Sequence, residues 1–419
     1  MRKMINKVVV FCVVAFLFGL PASAENPKAR YDTYEGLVMA GYQGWHNAEG
    51  DGTGRGWYHY GRKGQFGPGF CTIDLWPDVS EYPVLYNTKF SYEDGSPAAI
   101  YSSHDSTTTD VHFRWMKEYG LDGVFMQRFV SEIARPSSRK HFTDVLDNAM
   151  QAALRYERAI GIMYDLSGLP GNGVDLLLDD IKDLSKKYQL FDRDANPSYL
   201  YENGKPLVTI WGAGFNDGRK YGFDEVEAIV DGLRRMGFSV MIGVPTYWRE
   251  LTSDTVHDER LHTIIKKCDI VMPWFVGRYN QETYPKFHDL IRNDLAWAEK
   301  NGVKYAPLCF PGFSWDNMRF PSGRSSLIPR NGGAFFKAQI DFCIDSGAKM
   351  IYIAMFDEID EGTAIYKLAE RLPVQQDGSR FVPLDEGTTP DTYLKLAGYA
   401  SAKMKNTLNR QKQRNAPPY

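Results

Sequence analysis

Short apolar runs rich in β-branched and aromatic residues alternate along this chain with longer segments of helical periodicity. Such alternation is typical of repeated βα units, because parallel strands are buried on both faces and therefore read as continuous apolar runs. Eight runs of this kind predict eight strands, and these are Leu37–Ala40, Gly123–Phe129, Ile160–Asp165, Leu207–Trp211, Ser239–Val244, Ile270–Val276, Tyr305–Phe310 and Met350–Phe356.

Helical periodicity is clearest in three of the intervening segments. Apolar residues at i, i+3 and i+4 spacing over 142–154 predict one buried stripe. The stripe consists of Phe142, Val145, Leu146, Ala149, Met150, Ala153 and Leu154. A second helix is predicted around Val226–Leu233 with Asp224 as its N-cap, a position that favours Asp. A third covers residues 176–181.

The number of strands favours a closed ring over an open sheet, since eight βα units complete a barrel. A doubly wound sheet is the alternative, but no G-x-G-x-x-G follows an early strand. About 70 residues rich in Gly, Pro, Asp and aromatics separate Ala40 from a helix near Phe113, and a connection of this length is usually functional or separately structured. The sequence therefore predicts a single (β/α)8 TIM-type barrel over residues 25–410, with a long insertion after strand one. A polar tail, 411–419, is predicted to be frayed.

The first 24 residues have the pattern of a secretory signal peptide. A basic start is followed by the apolar run Val8–Leu20 and by Ala22-Ser23-Ala24, an A-x-A cleavage pattern. A membrane anchor is the rival interpretation, but the run is shorter than the roughly 20 apolar residues that span a bilayer. We therefore expect export, with a mature chain that starts at Glu25 and has no membrane span.

Composition removes several classes of function. The net charge of −3 becomes −6 once the three basic residues of the signal peptide are removed, so nucleic acid is not an expected partner. The eight histidines show no H-E-x-x-H or similar spacing, so no transition-metal site is expected. The cysteines expected in the mature chain are widely spaced and are interpreted as buried thiols; they are Cys71, Cys268, Cys309 and Cys343.

Active sites of (β/α)8 barrels form at the carboxyl ends of the strands. Polar and aromatic residues just past each apolar run are therefore candidates for binding a substrate. Those selected are Tyr42, Trp45, His46, Gln127, Arg128, Asp165, Trp211, Tyr247, Trp248, Trp274, Arg278, Trp315, Asp357 and Asp360. Aromatic residues make up 14% of the chain, and aromatic faces together with charged groups are what a sugar site needs. For His46 a hydrogen-bonded structural role is an equal alternative.

Strand eight ends in the acidic run Asp357-Glu358-Ile359-Asp360-Glu361. Like-charge contact raises the pKa of some of these groups, as a general acid requires. A solvated acidic loop or a helix N-cap cluster is the simpler interpretation of such a run. Its place at the end of a buried strand, on the expected catalytic rim, favours Glu358 and Glu361 as a catalytic pair of the kind that glycosidases use.

Glu358-Ile359-Asp360-Glu361-Gly362-Thr363 resembles the E-x-x-E-G-T motif of family 99 glycoside hydrolases and their family 71-like relatives. The upstream run Arg330–Phe336 resembles the segment that precedes this motif, and the placement of Tyr42 and Tyr247 is similar to that of site tyrosines in the family. The family motif commonly has a Trp and a His between the glutamates, where this chain has Ile359 and Asp360. The resemblance is to a divergent branch.

The resemblance implies a retaining, endo-acting α-mannosidase without a cofactor. In the family's proposed route Glu358 would remove the proton of the sugar's 2-hydroxyl, which forms a 1,2-anhydro intermediate, and Glu361 would protonate the leaving group. We therefore expect an exported glycoside hydrolase acting on an oligo- or polysaccharide. A catalytically silent glycan-binding protein on the same barrel is the alternative, and a secreted oxidoreductase lacks a nucleotide fingerprint.

Overall fold

The computed structural model describes residues 31–319 and 326–414. The predicted signal peptide and the end of the predicted tail, 415–419, lie outside these ranges. The strands are β1 (Val38–Tyr42), β2 (Tyr86–Ser91), β3 (Pro97–Ile100), β4 (Gly123–Phe129), β5 (Ala159–Asp165), β6 (Tyr201–Glu202), β7 (Lys205–Trp211), β8 (Ser239–Val244), β9 (Ile270–Pro273), β10 (Lys304–Tyr305), β11 (Leu308–Cys309) and β12 (Ile351–Ile353). The helices are α1 (Ser106–Tyr119), α2 (Val130–Ile133), α3 (Pro136–Tyr156), α4 (Gly173–Lys187), α5 (Phe223–Arg235), α6 (Arg260–Ile265), α7 (His288–Lys300), α8 (Ala334–Asp345) and α9 (Thr392–Arg414).

The main sheet is a parallel barrel. Its strands follow one another in the order β10, β9, β8, β7, β5, β4, β1, β12 and β11. The first and last of these are two halves of one chain segment: Ala306 donates its N–H to Val271 of β9, and Pro307 accepts the N–H of Tyr352 of β12. The segment therefore pairs with both neighbours and closes the ring. The predicted (β/α)8 barrel is confirmed, with strand seven divided in two.

Helices predicted from periodicity are present with two local differences. In α3 the predicted stripe is buried except for Met150, which is half-buried, and Leu154, which is 54% exposed. The N-cap of α5 is Gly222, whose N–H bonds to Glu225 at 2.9 Å. Asp224 instead occupies the first turn, where its charge complements the helix dipole. Helix α9 continues to Arg414, so residues 411–414 of the predicted tail are helical.

The long insertion after β1 packs against the barrel, and its buried residues join the same hydrophobic core. Its hairpin, β2 and β3, is antiparallel, and its buried rings form a continuous aromatic cluster in which Tyr60 and Phe66 stack at 5.3 Å and Phe66 and Trp76 at 5.9 Å. Because this surface is lost from water, the insertion is held rigidly against the rim rather than left as a free loop.

Two further expectations concern the described part of the chain. The cysteines at positions 71, 268, 309 and 343 are buried and unpaired, which confirms their interpretation as thiols. Within residues 31–319 and 326–414 no helix is both long and apolar enough to cross a membrane.

Candidate active site

A cleft of about 680 Å³ opens at the carboxyl ends of the barrel strands. Its floor contains Glu358 and Glu361, and its walls are largely aromatic. From the residues predicted by sequence it includes Trp45, Gln127, Asp165, Trp211, Trp274, Arg278 and Trp315. The loops after β1, β4, β5, β7, β9, β11 and β12 all contribute, as expected for a barrel active site.

The loop after β12 is fixed by hydrogen bonds from the loop after β1. Asp357 accepts the backbone N–H groups of Gln43 at 2.7 Å and Gly44 at 2.8 Å. Glu358 accepts the Gln43 side-chain amide at 2.6 Å and the Thr363 hydroxyl at 2.9 Å. Glu358 is only 3% exposed, so both of its carboxylate oxygens are oriented before any ligand enters.

Gly362 and Arg330 hold the other half of this loop. Gly362 has a φ of +68°, and a Cβ there would lie 2.7 Å from the backbone nitrogen of Ser314. That close approach lets the Ser314 N–H donate to the carbonyl of Glu361 at 2.9 Å. Buried Arg330 donates to the carbonyl of Ala364 at 2.7 Å and lies 3.7 Å from the centroid of the Tyr393 ring. Gly362 and Arg330 therefore hold the loop after β12 in its shape, which explains the glycine of the E-x-x-E-G-T pattern and the upstream arginine.

Burial makes ionisation of the acidic run unfavourable. Burial and the negative charge of Asp360 raise the pKa of Glu361 to about 8. Burial, followed by the charges of Glu361 and Asp360, raises the pKa of Glu358 well above its ordinary value. Burial also raises the pKa of Asp357 to about 7. Since like charges in a dry site cannot all be present, the glutamate pair retains a proton at neutral pH.

The cleft walls combine stacked rings with a third carboxyl group. Trp211 and Trp274 meet edge to face with centroids 5.1 Å apart, and Trp45 lies in a stack with Phe129 at 5.1 Å. Burial raises the pKa of Asp165 to about 6, while the N–H of Ser167 opposes this shift. Rings beside a few polar groups suit a ligand with both apolar and hydroxyl-bearing faces.

Several predicted site residues lie behind the cleft. Tyr42 is fully buried, and its hydroxyl bonds to His112 Nδ1 at 2.8 Å. Arg128 follows cleft-lining Gln127 and, because side chains alternate along a strand, it points outward to a buried ion pair with Asp180 at 2.7 Å. Trp248 is buried and donates to Asp294 at 3.1 Å.

The remaining corrections have similar causes. Tyr247 is half-buried and is held by its backbone N–H to Asp254 at 3.1 Å. His46 is fully buried, and burial lowers the pKa of its imidazole to about 3. Neither ring nitrogen has a hydrogen-bond partner among the described residues, so His46 is a buried residue outside the cleft but lacks the hydrogen bond that the structural alternative expected. Asp357 organises backbone as described above. Asp360 turns away from the cleft toward His59, with 2.9 Å between Asp360 Oδ2 and His59 Nδ1.

The residues selected from the sequence cover only part of the cleft. The other lining residues are Gln43, Phe129, Met163, Ser167, Phe215, Asp217, Arg219, Val276, Gly277, Phe313, Arg319, Ser326, Ile328 and Met355. Gln43 and Phe313 come just past predicted strands and satisfy the same rule as the selected residues. Met163 occupies an inward position of β5, so strand alternation was the available signal for it. Arg219 lies eight positions beyond β7 and comes back over the Trp211 ring, 5.0 Å from its centroid; no local pattern indicates that return.

Solved structures resemble this chain although no sequence family does. No protein-family model matches the chain, and no curated protein matches it. Two structures of the GH99 endo-α-mannosidase from Bacteroides thetaiotaomicron are similar at 14% identity. They have TM-scores of 0.61 and 0.62, with 91% and 90% of this chain and 100% of each of those chains covered. A glycoside hydrolase-like protein matches with a TM-score of 0.53 at 14% identity, covering 91% of this chain and 97% of its own.

The chain has the fold of a family 99 endo-α-mannosidase. At 14% identity the similarity establishes the architecture, and it confirms at the level of fold the resemblance drawn from the E-x-x-E-G-T motif. Within residues 31–319 and 326–414 no group of three or more His, Cys, Asp or Glu side chains is arranged to hold a metal ion.

Proposed function

We propose that the protein is an exported glycoside hydrolase that cleaves α-linked, mannan-like glycans in endo fashion with retention of configuration. The observation that carries the proposal is the pair of glutamates on the floor of an aromatic-walled cleft at the catalytic end of the barrel. Two carboxyl groups that differ in protonation are what glycosidic cleavage requires. The structural similarity to GH99 endo-α-mannosidases supports the same substrate class.

The environments of the two glutamates support different roles. Glu358 accepts hydrogen bonds from an amide and a hydroxyl, and bonds donated to a carboxylate favour its ionised form. We therefore assign the single negative charge of the pair to Glu358, whose two hydrogen-bond donors oppose the rise in pKa that burial causes. Glu361 is less buried and has a pKa of about 8, which keeps its proton at neutral pH. Glu358 is accordingly assigned as the base and Glu361 as the acid.

The proposed reaction has two steps. First, Glu358 takes the proton of the substrate's 2-hydroxyl, and that oxygen attacks the anomeric carbon. The bond from this carbon to the glycosidic oxygen breaks, and Glu361 gives its proton to the departing oxygen. In the second step Glu361 takes a proton from water, the water oxygen opens the 1,2-anhydro ring, and Glu358 returns its proton to the 2-oxygen. Two inversions at one carbon give net retention, and no metal or organic cofactor takes part.

The cleft dimensions and walls support an oligosaccharide ligand. Its volume of about 680 Å³ lies in the range of sites that enclose drug-sized ligands, so it accommodates several sugar rings. Trp45, Trp211, Trp274 and Trp315 line the cleft and offer faces for the apolar sides of such rings. Asp165, Arg278 and Gln127 line it too and offer polar groups for the hydroxyls.

A substrate screen with product analysis tests the proposal. The purified protein is incubated with α-mannans, N-glycans and other α-linked polysaccharides, and new reducing ends are measured. Early product analysis by NMR should show oligosaccharides with retained α configuration. The Glu358→Gln/Glu361→Gln double variant is the control. If the wild-type protein binds a glycan but releases no new ends from it, the silent glycan-binding protein is the better description.

A further inference from the structure

Asp360 stands between the two glutamates in sequence but belongs to a different environment. Its side chain is 1% exposed, and it faces the insertion after β1 instead of the cleft. Among the described residues its hydrogen-bond partner is His59 at 2.9 Å, while Oδ1 has none and lies 3.8 Å from His46 Nε2. A buried carboxylate with so few hydrogen-bond partners lowers the free energy of unfolding, so stability does not explain why an aspartate occupies this position.

The partner of Asp360 supports a wall of the cleft. The His59 ring stacks flat on Trp45, with centroids 3.7 Å apart and an interplanar angle of 4°, and Trp45 lines the cleft. The two stacked rings therefore connect the cleft surface to the buried carboxylate of Asp360, in the loop after β12.

The groups around Asp360 define what its charge does. Asp357, Glu358 and Glu361 are its neighbours from its own loop. His46, His59 and Tyr60 approach it from the insertion after β1. Arg55 and Lys63 line the same small pocket as Asp360, but among the described residues neither forms an ion pair with it. Burial lowers the pKa of His46 to about 3, so that ring is neutral at neutral pH. The negative charge of Asp360 is consequently felt by the glutamates.

We propose that Asp360 is a positioning residue of the glutamate pair, whose charge helps the pair to retain its transferable proton and is held in place by His59 and Trp45. This inference rests on the proposed glycosidase function and adds a determinant of its pH range. Electrostatics agree with it, because Asp360 raises the pKa of both Glu358 and Glu361.

The test is the pH dependence of kcat/KM on a cleaved glycan. Asp360→Asn removes the charge with little change of shape, so both limbs of the profile should move to lower pH, the alkaline one by about one unit. Asp360→Glu keeps the charge and should restore the alkaline limb. Glu132→Gln is the matched control, because Glu132 bonds to Tyr58 near the insertion and does not line the cleft; its profile should match the wild type.

Each outcome has a defined meaning. If Asp360→Asn lowers kcat but leaves both limbs at their wild-type pH, Asp360 is structural and the inference is wrong. Should Asp360→Asn fail to fold, Asp360→Ser supplies a neutral residue that can still bond to His59, and the same shift is required of it. Failure of the proposed function is distinguishable: the wild-type protein would then release no new reducing ends, or Glu358→Gln and Glu361→Gln would cleave the glycan as fast as the wild type does.

Discussion

The assignment of acid and base predicts opposite responses to the leaving group of the substrate. Glu361→Gln removes the proton donor and keeps the shape of the side chain. It should cripple cleavage of glycans, whose leaving groups are poor, and largely spare an aryl glycoside or glycosyl fluoride. Glu358→Gln should impair both substrates, since no leaving group replaces activation of the 2-hydroxyl.

The structure sets the size of this contrast. With a pKa of about 8, Glu361 is protonated in about nine of ten molecules at pH 7, against well under 1% for an ordinary Glu. Loss of such a donor typically costs about 10²- to 10⁴-fold in rate, or roughly 3 to 5 kcal/mol of barrier. The alkaline limb of kcat/KM should therefore fall near pH 8 in the wild type and disappear in Glu361→Gln with an activated substrate.

The assay compares kcat/KM of each variant on a natural glycan and on the activated analogue. Asp217→Asn is the matched control: Asp217 lines the cleft but is paired with Arg219 at 2.9 Å, so any loss should be equal on both substrates. A 2-deoxy analogue should resist cleavage because it lacks the attacking oxygen. If both glutamate variants remain folded and keep full activity on a demonstrated substrate, the reasoning from the site is refuted.

The other predictions concern the loop, the fold and the export signal. Gly362→Ala should cost about 1 to 3 kcal/mol of folding free energy and reduce activity, whereas Gly52→Ala, also at positive φ but with open space around it, should leave activity intact. Equal losses of activity in the two variants, measured beside their thermal stability, would contradict this. Arg128→Met should leave Asp180 buried without its guanidinium and cost about 3 to 5 kcal/mol in denaturant unfolding, partly recovered by adding Asp180→Asn; a large rise in KM without loss of stability would return Arg128 to substrate binding. Protein secreted by its native host should begin at Glu25 on N-terminal sequencing, and retention of the run Val8–Leu20 would overturn the proposed export.

The strands were predictable because burial on both faces leaves a plain trace in the sequence. Every predicted run overlaps a barrel strand, and Gly123–Phe129 matches β4 to the residue. The division of strand seven had one local sign, Pro307, which lacks the N–H that an uninterrupted ladder needs. What periodicity could not supply was closure through a split strand, because that depends on which neighbours the two halves meet.

The site was predictable where chain position alone decides it, and less so where orientation does. Glu358 and Glu361 follow a buried strand directly, so the rim rule located them. Gln127 and Arg128 satisfy that rule equally, yet alternation sends one into the cleft and the other into a buried ion pair. Asp360 shows a related limit, since its partner His59 lies 301 positions earlier in the chain.

Helix α9 supports the barrel at two places. Ser401 and Lys405 of α9 bond to Asp122, which accepts the N–H of Val38 at the start of β1, and Tyr393 supports Arg330 behind the catalytic loop. A chain that lacks α9 would lose the contacts of Ser401 and Lys405 with Asp122 and that of Tyr393 with Arg330. The barrel should therefore reach its full stability only when α9 is in place.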